Sequence, residues 1–183
     1  MFTPGTVVNE FTSKKGNKIV LRFASEQEAP LLTEYINTLS LEDTFITFSG
    51  EQLSLESEQK FLKNMAEKIE QGDSFMLFGF KEDLLVSVGH VERLGRRSKH
   101  VGEMGISVKR ELRGEGIGAE MIRTMLEIAK RISLQMIQLA VFSPNNVAKK
   151  LYEKLGFKEV GTVPKKSLFH GELVDEVIMV KFL

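Results

Sequence analysis

The stretch with the clearest chemical meaning is Arg113-Gly114-Glu115-Gly116-Ile117-Gly118-Ala119. Glycines ahead of a helical pattern let the backbone approach a ligand closely, and the free N–H groups of a helix start attract phosphate. The bland alternative is a glycine-rich surface loop. A P-loop needs Gly-Lys-Ser/Thr, and here Gly118 is followed by Ala119 and Glu120, so it fails. Gly114, Gly116 and Ala119 meet a dinucleotide fingerprint in form. Five charged or bulky residues separate Val108 from Gly114, however, and no Asp or Glu lies between Glu127 and Glu153 to hold a ribose. A second candidate group is Glu103, a carboxylate inside the otherwise apolar run Val101–Val108, where an unpaired charge is costly. It is either a functional base, with Glu92 in reserve, or the exposed face of a strand. His90, His100 and His170 lack the close spacing of a metal site, so they read as strand and turn residues and no metal is expected.

Two blocks together point further. Arg113–Gly118 resembles the Q/R-x-x-G-x-G/A acyl-CoA signature of the GNAT superfamily of N-acetyltransferases. The run from Asn145 through Ala148, Leu151, Tyr152, Glu153 and Lys154 to Gly156-Phe157 resembles that superfamily's N-x-x-A-x-x-L-Y-E-K-x-G-F block. The resemblance covers the chain from about Lys18 onward. It implies an α/β fold of GNAT type, with a mixed, mostly antiparallel central sheet and helices on both faces. It also implies acetyl-CoA as co-substrate. The pyrophosphate would lie on the N–H groups of Arg113, Gly114, Glu115, Gly116, Ile117, Gly118 and Ala119. The pantetheine arm would pair with the backbone of Ile106, Ser107 and Val108 like an added strand. Asn145 matches the pantetheine-contacting Asn, and Tyr152 the Tyr beside the thioester sulfur. Glu103 resembles a strand glutamate of phosphinothricin-type acetyltransferases.

The implied reaction is direct attack of a primary amine on the thioester, which suits a chain with no cysteine. An ammonium must lose its proton, with Glu103 or a water chain as base. A backbone N–H near Val108 would stabilise the oxyanion. Tyr152 would protonate the departing thiolate, its alternative being a packing residue in the stripe Ala148, Leu151 and Leu155. Lys149 and Lys150, on the helix after Asn145, are placed to meet the 3′-phosphate of CoA.

The elements that must carry these residues follow from periodicity. Thr6–Phe11 and Lys18–Phe23 read as strands around the loop Ser13–Asn17; the segment Thr6–Asn17 lies outside the common core that the resemblance implies, so residues 1–17 form an extra N-terminal region of a single domain spanning 1–183. Ser25 and Glu28 form a capping box ahead of a helix with Leu31, Leu32, Tyr35, Ile36 and Leu39. A second helix carries Phe61, Leu62, Met65 and Ile69. Strands follow at Ser74–Lys81, Leu84–Leu94 and Val101–Val108. The glycines open a helix with the stripe Ile117, Met121, Ile122, Met125, Leu126 and Ala129. Met136–Phe142 is a buried strand, Asn145–Leu155 a helix, and Phe157–Lys165 and Leu173–Phe182 two final strands.

Charge balance excludes other classes. The chain of 183 residues has 25 basic and 25 acidic side chains, which argues against a nucleic-acid binder. No apolar run reaches the roughly 20 residues of a membrane span, and the first residues show no apolar signal core, so a cytoplasmic location is expected. Many proteins of the superfamily are dimers, which makes a homodimer an open expectation. The resemblance implies that the acceptor is set by Tyr35–Leu53 and Lys165–Leu173, which offer Phe45, Ile46, Phe48, Phe169 and His170, with Glu42, Asp43 and Glu51 either attractants for a cation or solvated side chains. Competing functions are a non-catalytic CoA-binding sensor and an acyltransferase using a longer acyl-CoA.

Overall fold

The computed structural model describes residues 3–42, 44–72 and 74–183. Eight strands form one sheet in the order β1-β2-β3-β4-β5-β6-β8-β7. They are β1 (Val7–Thr12), β2 (Lys18–Phe23), β3 (Ser74–Lys81), β4 (Leu84–Arg93), β5 (Val101–Val108), β6 (Met136–Phe142), β7 (Lys158–Phe169) and β8 (Glu172–Phe182). All neighbours are antiparallel except β5 and β6. The helices are α1 (Ala29–Leu41), α2 (Leu55–Glu70), α3 (Ile117–Arg131) and α4 (Asn146–Lys154).

The core has two layers, one on each face of the sheet. On one face, Ile117, Met121, Ile122, Met125 and Ala129 of α3 pack on Leu21, Phe75, Leu77, Val91 and Met104, with Tyr152 of α4 in the same cluster. On the other, Leu32, Tyr35 and Leu39 of α1 and Leu62 and Met65 of α2 cover Met76, Phe78 and Val88. The predicted architecture, a mostly antiparallel sheet with helices on both faces, is the one observed.

Several local readings need adjustment. The Ser25–Glu28 box is present, but it caps a short 3-10 turn at Glu26–Glu28, and α1 starts only at Ala29 with Pro30 in its first turn. Of the apolar residues of α2, Leu62 and Met65 turn inward, whereas Phe61 is 41% exposed. The connection expected at Lys165–Leu173 is not a loop. β7 and β8 run on to His170-Gly171, a two-residue turn with φ of 51° and 78°, as a twisted hairpin requires. The ladder absorbs Pro164, which has no N–H to give, through a register shift between Val163 and Ser167.

Candidate active site

β5 and β6 start side by side and then part. Only three pairs join them: Val101 with Met136, Gly102 with Ile137, and Glu103 with Gln138. Beyond Glu103 the rest of β5 has no strand on that side. The phase of the β4–β5 ladder is fixed by Leu94 N–H donating to Val101 O and Lys109 N–H donating to Val86 O, both 2.9 Å. Odd-numbered residues of β5 therefore bond to β4, and beyond the last pair with β6 the C=O of Met104, the N–H and C=O of Ile106 and the N–H of Val108 point into the open wedge. Ile106 and Val108 rest their side chains on the α3 layer.

At the mouth of this wedge the chain makes the glycine loop. Gly114 and Gly116 sit at φ of 78° and 92°, a backbone that L side chains rarely adopt. The first helical bond of α3 runs from Glu120 N–H to Gly116 O, so the N–H groups of Ile117, Gly118 and Ala119 precede the ladder and have no intrahelical partner. Ile117 buries its side chain in the core, leaving its amide as its contribution. Gly118 lies where α3, α4 and β5 meet; a Cβ there would stand 3.7 Å from Leu151 and 3.8 Å from Ile106 and Val108.

Two residues of the loop turn their side chains elsewhere. Arg113 donates from Nε to Val108 O at 2.9 Å and from a terminal nitrogen to Glu42 Oε2 at 2.5 Å, tying the end of β5 to the end of α1. Glu115 buries its carboxylate against the β1–β2 turn. Only the backbone of Glu115 is therefore left for a ligand.

Asn145 caps α4, its Oδ1 accepting from Ala148 N–H at 3.1 Å, and its side-chain amide nitrogen remains uncommitted among the described residues. Lys150 is exposed and Lys149 half-buried on the same helix. Tyr152 is buried and edge-on to Phe157 at 5.7 Å between ring centroids. Burial pushes its phenol up to about 12. Its hydroxyl has no partner among the described residues, yet it is not sealed off from solvent.

The opposite face of β5 carries Glu103, Gly105 and Ser107 in a row. Glu103 is exposed and accepts from Gln138 Nε2 at 3.1 Å. Glu92, directly across the ladder, pairs with Lys68 at 2.5 Å. Ser107 shares a 3.0 Å hydrogen bond with the hydroxyl of Tyr35, whose buried phenol is pushed well above its ordinary value by desolvation. His90 was read as an ordinary strand histidine, and its position is more telling. Its ring fills the space a Cβ at Gly105 would need, the nearest ring carbon 2.4 Å from that point. Burial holds its imidazole below the usual range, against the opposing pull of Glu92 and Glu103. The pairing of a glycine on one strand with a histidine on the next is a tertiary fact, and no single segment signals it.

Beyond this row stands an aromatic wall. Phe45 of the α1–α2 connection stacks on Phe169 at 4.5 Å, and Phe142 meets each of them edge-on at 6.2 Å. Phe45 and Phe169 belong to the lining expected from sequence, and Phe142, the last residue of β6, joins them only through the fold. Asp43 lies outside the described residues, and Glu42 is taken up by Arg113 and Arg110. No His/Asp/Glu cluster with metal-binding geometry occurs among the described residues, and no described helix is long and apolar enough to cross a membrane.

The family model for acetyltransferases of the GNAT family matches residues 38–157. The chain belongs to that family. It is similar to the L-amino acid N-acetyltransferase AaaT of Escherichia coli (strain K12), with 36% identity over 99 residues, 51% of this chain and 60% of that protein. It thus spans less than two thirds of this curated relative. In fold it is similar to an acetyltransferase of the GNAT family from Streptococcus pneumoniae, at TM-score 0.82 and 24% identity over 90% of this chain and 99% of the other. It is also similar to YncA from Salmonella typhimurium, solved with its cofactor acetyl-CoA, at TM-score 0.78 and 17% identity over 90% and 94%.

Proposed function

We propose that the protein transfers the acetyl group of acetyl-CoA to a primary amine by direct attack on the thioester. The observation that carries this reading is the splay of β5 from β6 beside the glycine loop. An extended arm can add itself to β5 through Ile106 and Val108, while a diphosphate rests on the amides at the start of α3. The groups present fit such a ligand: outward-facing strand amides, left-handed glycines without side chains, the free amide nitrogen of Asn145, and Lys150 on the adjacent helix for a 3′-phosphate.

The chemistry follows from the two faces. Glu103, open to solvent, takes a proton from the ammonium directly or through water, and the neutral imidazole of His90 lies beside it as a second acceptor. The amine nitrogen bonds to the carbonyl carbon, and the growing negative charge on oxygen meets the inward N–H of Val108. As the carbon–sulfur bond breaks, Tyr152 faces the leaving thiolate. A phenol raised to about 12 stays fully protonated at neutral pH, so it holds a hydrogen to direct at the sulfur. Because that value lies above the roughly 8.5 of an ordinary thiol, it acts first as a hydrogen-bond donor, with the proton following from the phenol or from water.

The acceptor is read as an amine of amino-acid size with an apolar side chain. The carboxylate of Glu103 stands on the face where Phe45, Phe142 and Phe169 form the wall, which supplies a partner for the ammonium and one for the apolar side chain. The similarity to AaaT favours the same class. Calorimetry with acetyl-CoA and with NAD, followed by thiol release across a library of amines, tests the proposal. Binding of acetyl-CoA with turnover of apolar amino acids is the expected result. Binding of NAD without acetyl-CoA overturns the reading, and acetyl-CoA binding with no amine acetylated leaves a CoA sensor.

A further inference from the structure

The β1–β2 turn lies far outside the residues matched by the family model, yet it touches the glycine loop. The loop contains one acid, Glu115, whose free carboxylate would repel a bound diphosphate. The turn removes that problem. Ser13 Oγ donates to Glu115 Oε2 at 2.7 Å, Asn17 Nδ2 donates to the same oxygen at 2.8 Å, and Lys15 pairs with Oε1 at 3.4 Å. These bonds hold the carboxyl below the usual carboxylate range, with the side chain only 2% exposed. A main-chain bond from Lys14 N–H to Glu115 O at 2.9 Å completes the junction.

The same junction lays Lys14 over the loop. Its Cε and Cγ stand 3.7 and 3.8 Å from where a Cβ at Gly116 would be. Lys14 is exposed, and no carboxylate among the described residues pairs with its ammonium. One turn thus ties up the single carboxylate of the loop and sets an unneutralised positive charge over Gly116. We infer that Lys14 binds the diphosphate of acetyl-CoA, with Ser13, Lys15, Asn17 and Glu115 as the positioning residues that hold it there. This inference rests on the acetyl-CoA reading of the loop.

The test is calorimetry on the full chain with acetyl-CoA, CoA and dephospho-CoA. Lys14→Ala is expected to weaken all three by roughly tenfold, the loss of one charge-assisted contact, and Lys14→Arg to restore most of it. Lys14 is exposed, so the melting temperature should be unchanged. Glu115→Ala should cost a similar factor, and the double variant no more than Glu115→Ala alone, since both remove one coupled unit. Glu115→Gln, which keeps an oxygen for Ser13 and Asn17, should retain binding. Wild-type affinity in Lys14→Ala overturns the inference while leaving the acetyl-CoA reading intact. A loss confined to ligands with a 3′-phosphate overturns the assignment to the diphosphate. Failure of the wild type to bind acetyl-CoA overturns the functional reading and this inference with it.

Discussion

The open edge of β5 and its α1–α2 face are built in different ways. Along the edge, the groups offered to a ligand are backbone amides: those of Ile106 and Val108, with the first turn of α3 beside them. On the α1 and α2 side they are side chains drawn from distant segments: Tyr35 on Ser107, His90 over Gly105, Gln138 on Glu103, and Phe45 with Phe142 and Phe169. A backbone site is specified by a short run of glycines and by the register of two strands. A side-chain site needs the whole fold to bring its parts together. The first kind suits the invariant part of a reaction and the second the part that varies.

The largest effect should come from attacking the backbone site. Gly116→Asp puts a side chain at φ 92° and a negative charge where the diphosphate would lie. Calorimetry should show acetyl-CoA binding abolished, with circular dichroism unchanged. Tyr152→Phe comes next. It keeps the ring against Phe157 and removes only the hydroxyl, so acetyl-CoA affinity should hold while turnover falls by about 10²–10⁴. Full activity in this variant would make Tyr152 a packing residue and leave water as the acid.

The side-chain face should respond in smaller and more selective ways. Glu103→Gln is expected to lower turnover by about 10² at pH 7, and by less as rising pH frees the amine unaided. A pH–rate profile parallel to the wild type would shift the role to His90, Glu92 or water. Phe45→Ala should raise the acceptor KM several-fold for apolar amines, from loss of an aromatic contact of about 0.5–1.5 kcal/mol, with acetyl-CoA affinity unchanged. An equal change for apolar and polar amines would remove the wall from the specificity argument.

The smallest effect concerns His90 and stability. Burial lowers its native proton affinity, with Glu92 and Glu103 only partly offsetting this. Below about pH 6.5 the unfolded chain takes up a proton that the native ring resists, so stability falls as the pH drops through that value toward the native one. His90→Gln should reduce this acid-induced fall in Tm, by a few degrees at pH 5.5. Identical slopes for both proteins would mean that the ring protonates in place.

This contrast also explains what could be read from the sequence. β5 and β6 were bounded at Val101–Val108 and Met136–Phe142 because their apolar runs end at charged or turn residues, and every residue of the α3 stripe is buried as periodicity required. The glycine loop was legible because φ near 90° leaves its mark in residue type. Arg113 and Glu115 were not. Both lie inside the motif, but their side chains answer to Glu42, 71 residues away, and to Ser13, 102 residues away. His90 escaped notice for the same reason, since only the sheet register brings it to Gly105.

The narrow join between β5 and β6 has a mechanical side. Five strands on one flank and three on the other are held edge to edge by three residue pairs, and at the middle pair Gly102 is hemmed in by Ile137, Val91 and Leu134. In the plane of the sheet this is a seam, joined by fewer residue pairs than any other two neighbouring strands. A ligand that hydrogen-bonds along Ile106 and Val108 closes the open end of the seam and stiffens the whole sheet as a keystone does. On the proposed reading, the amides of Ile106 and Val108 should exchange hydrogen fastest when the seam is empty and slow when acetyl-CoA is bound.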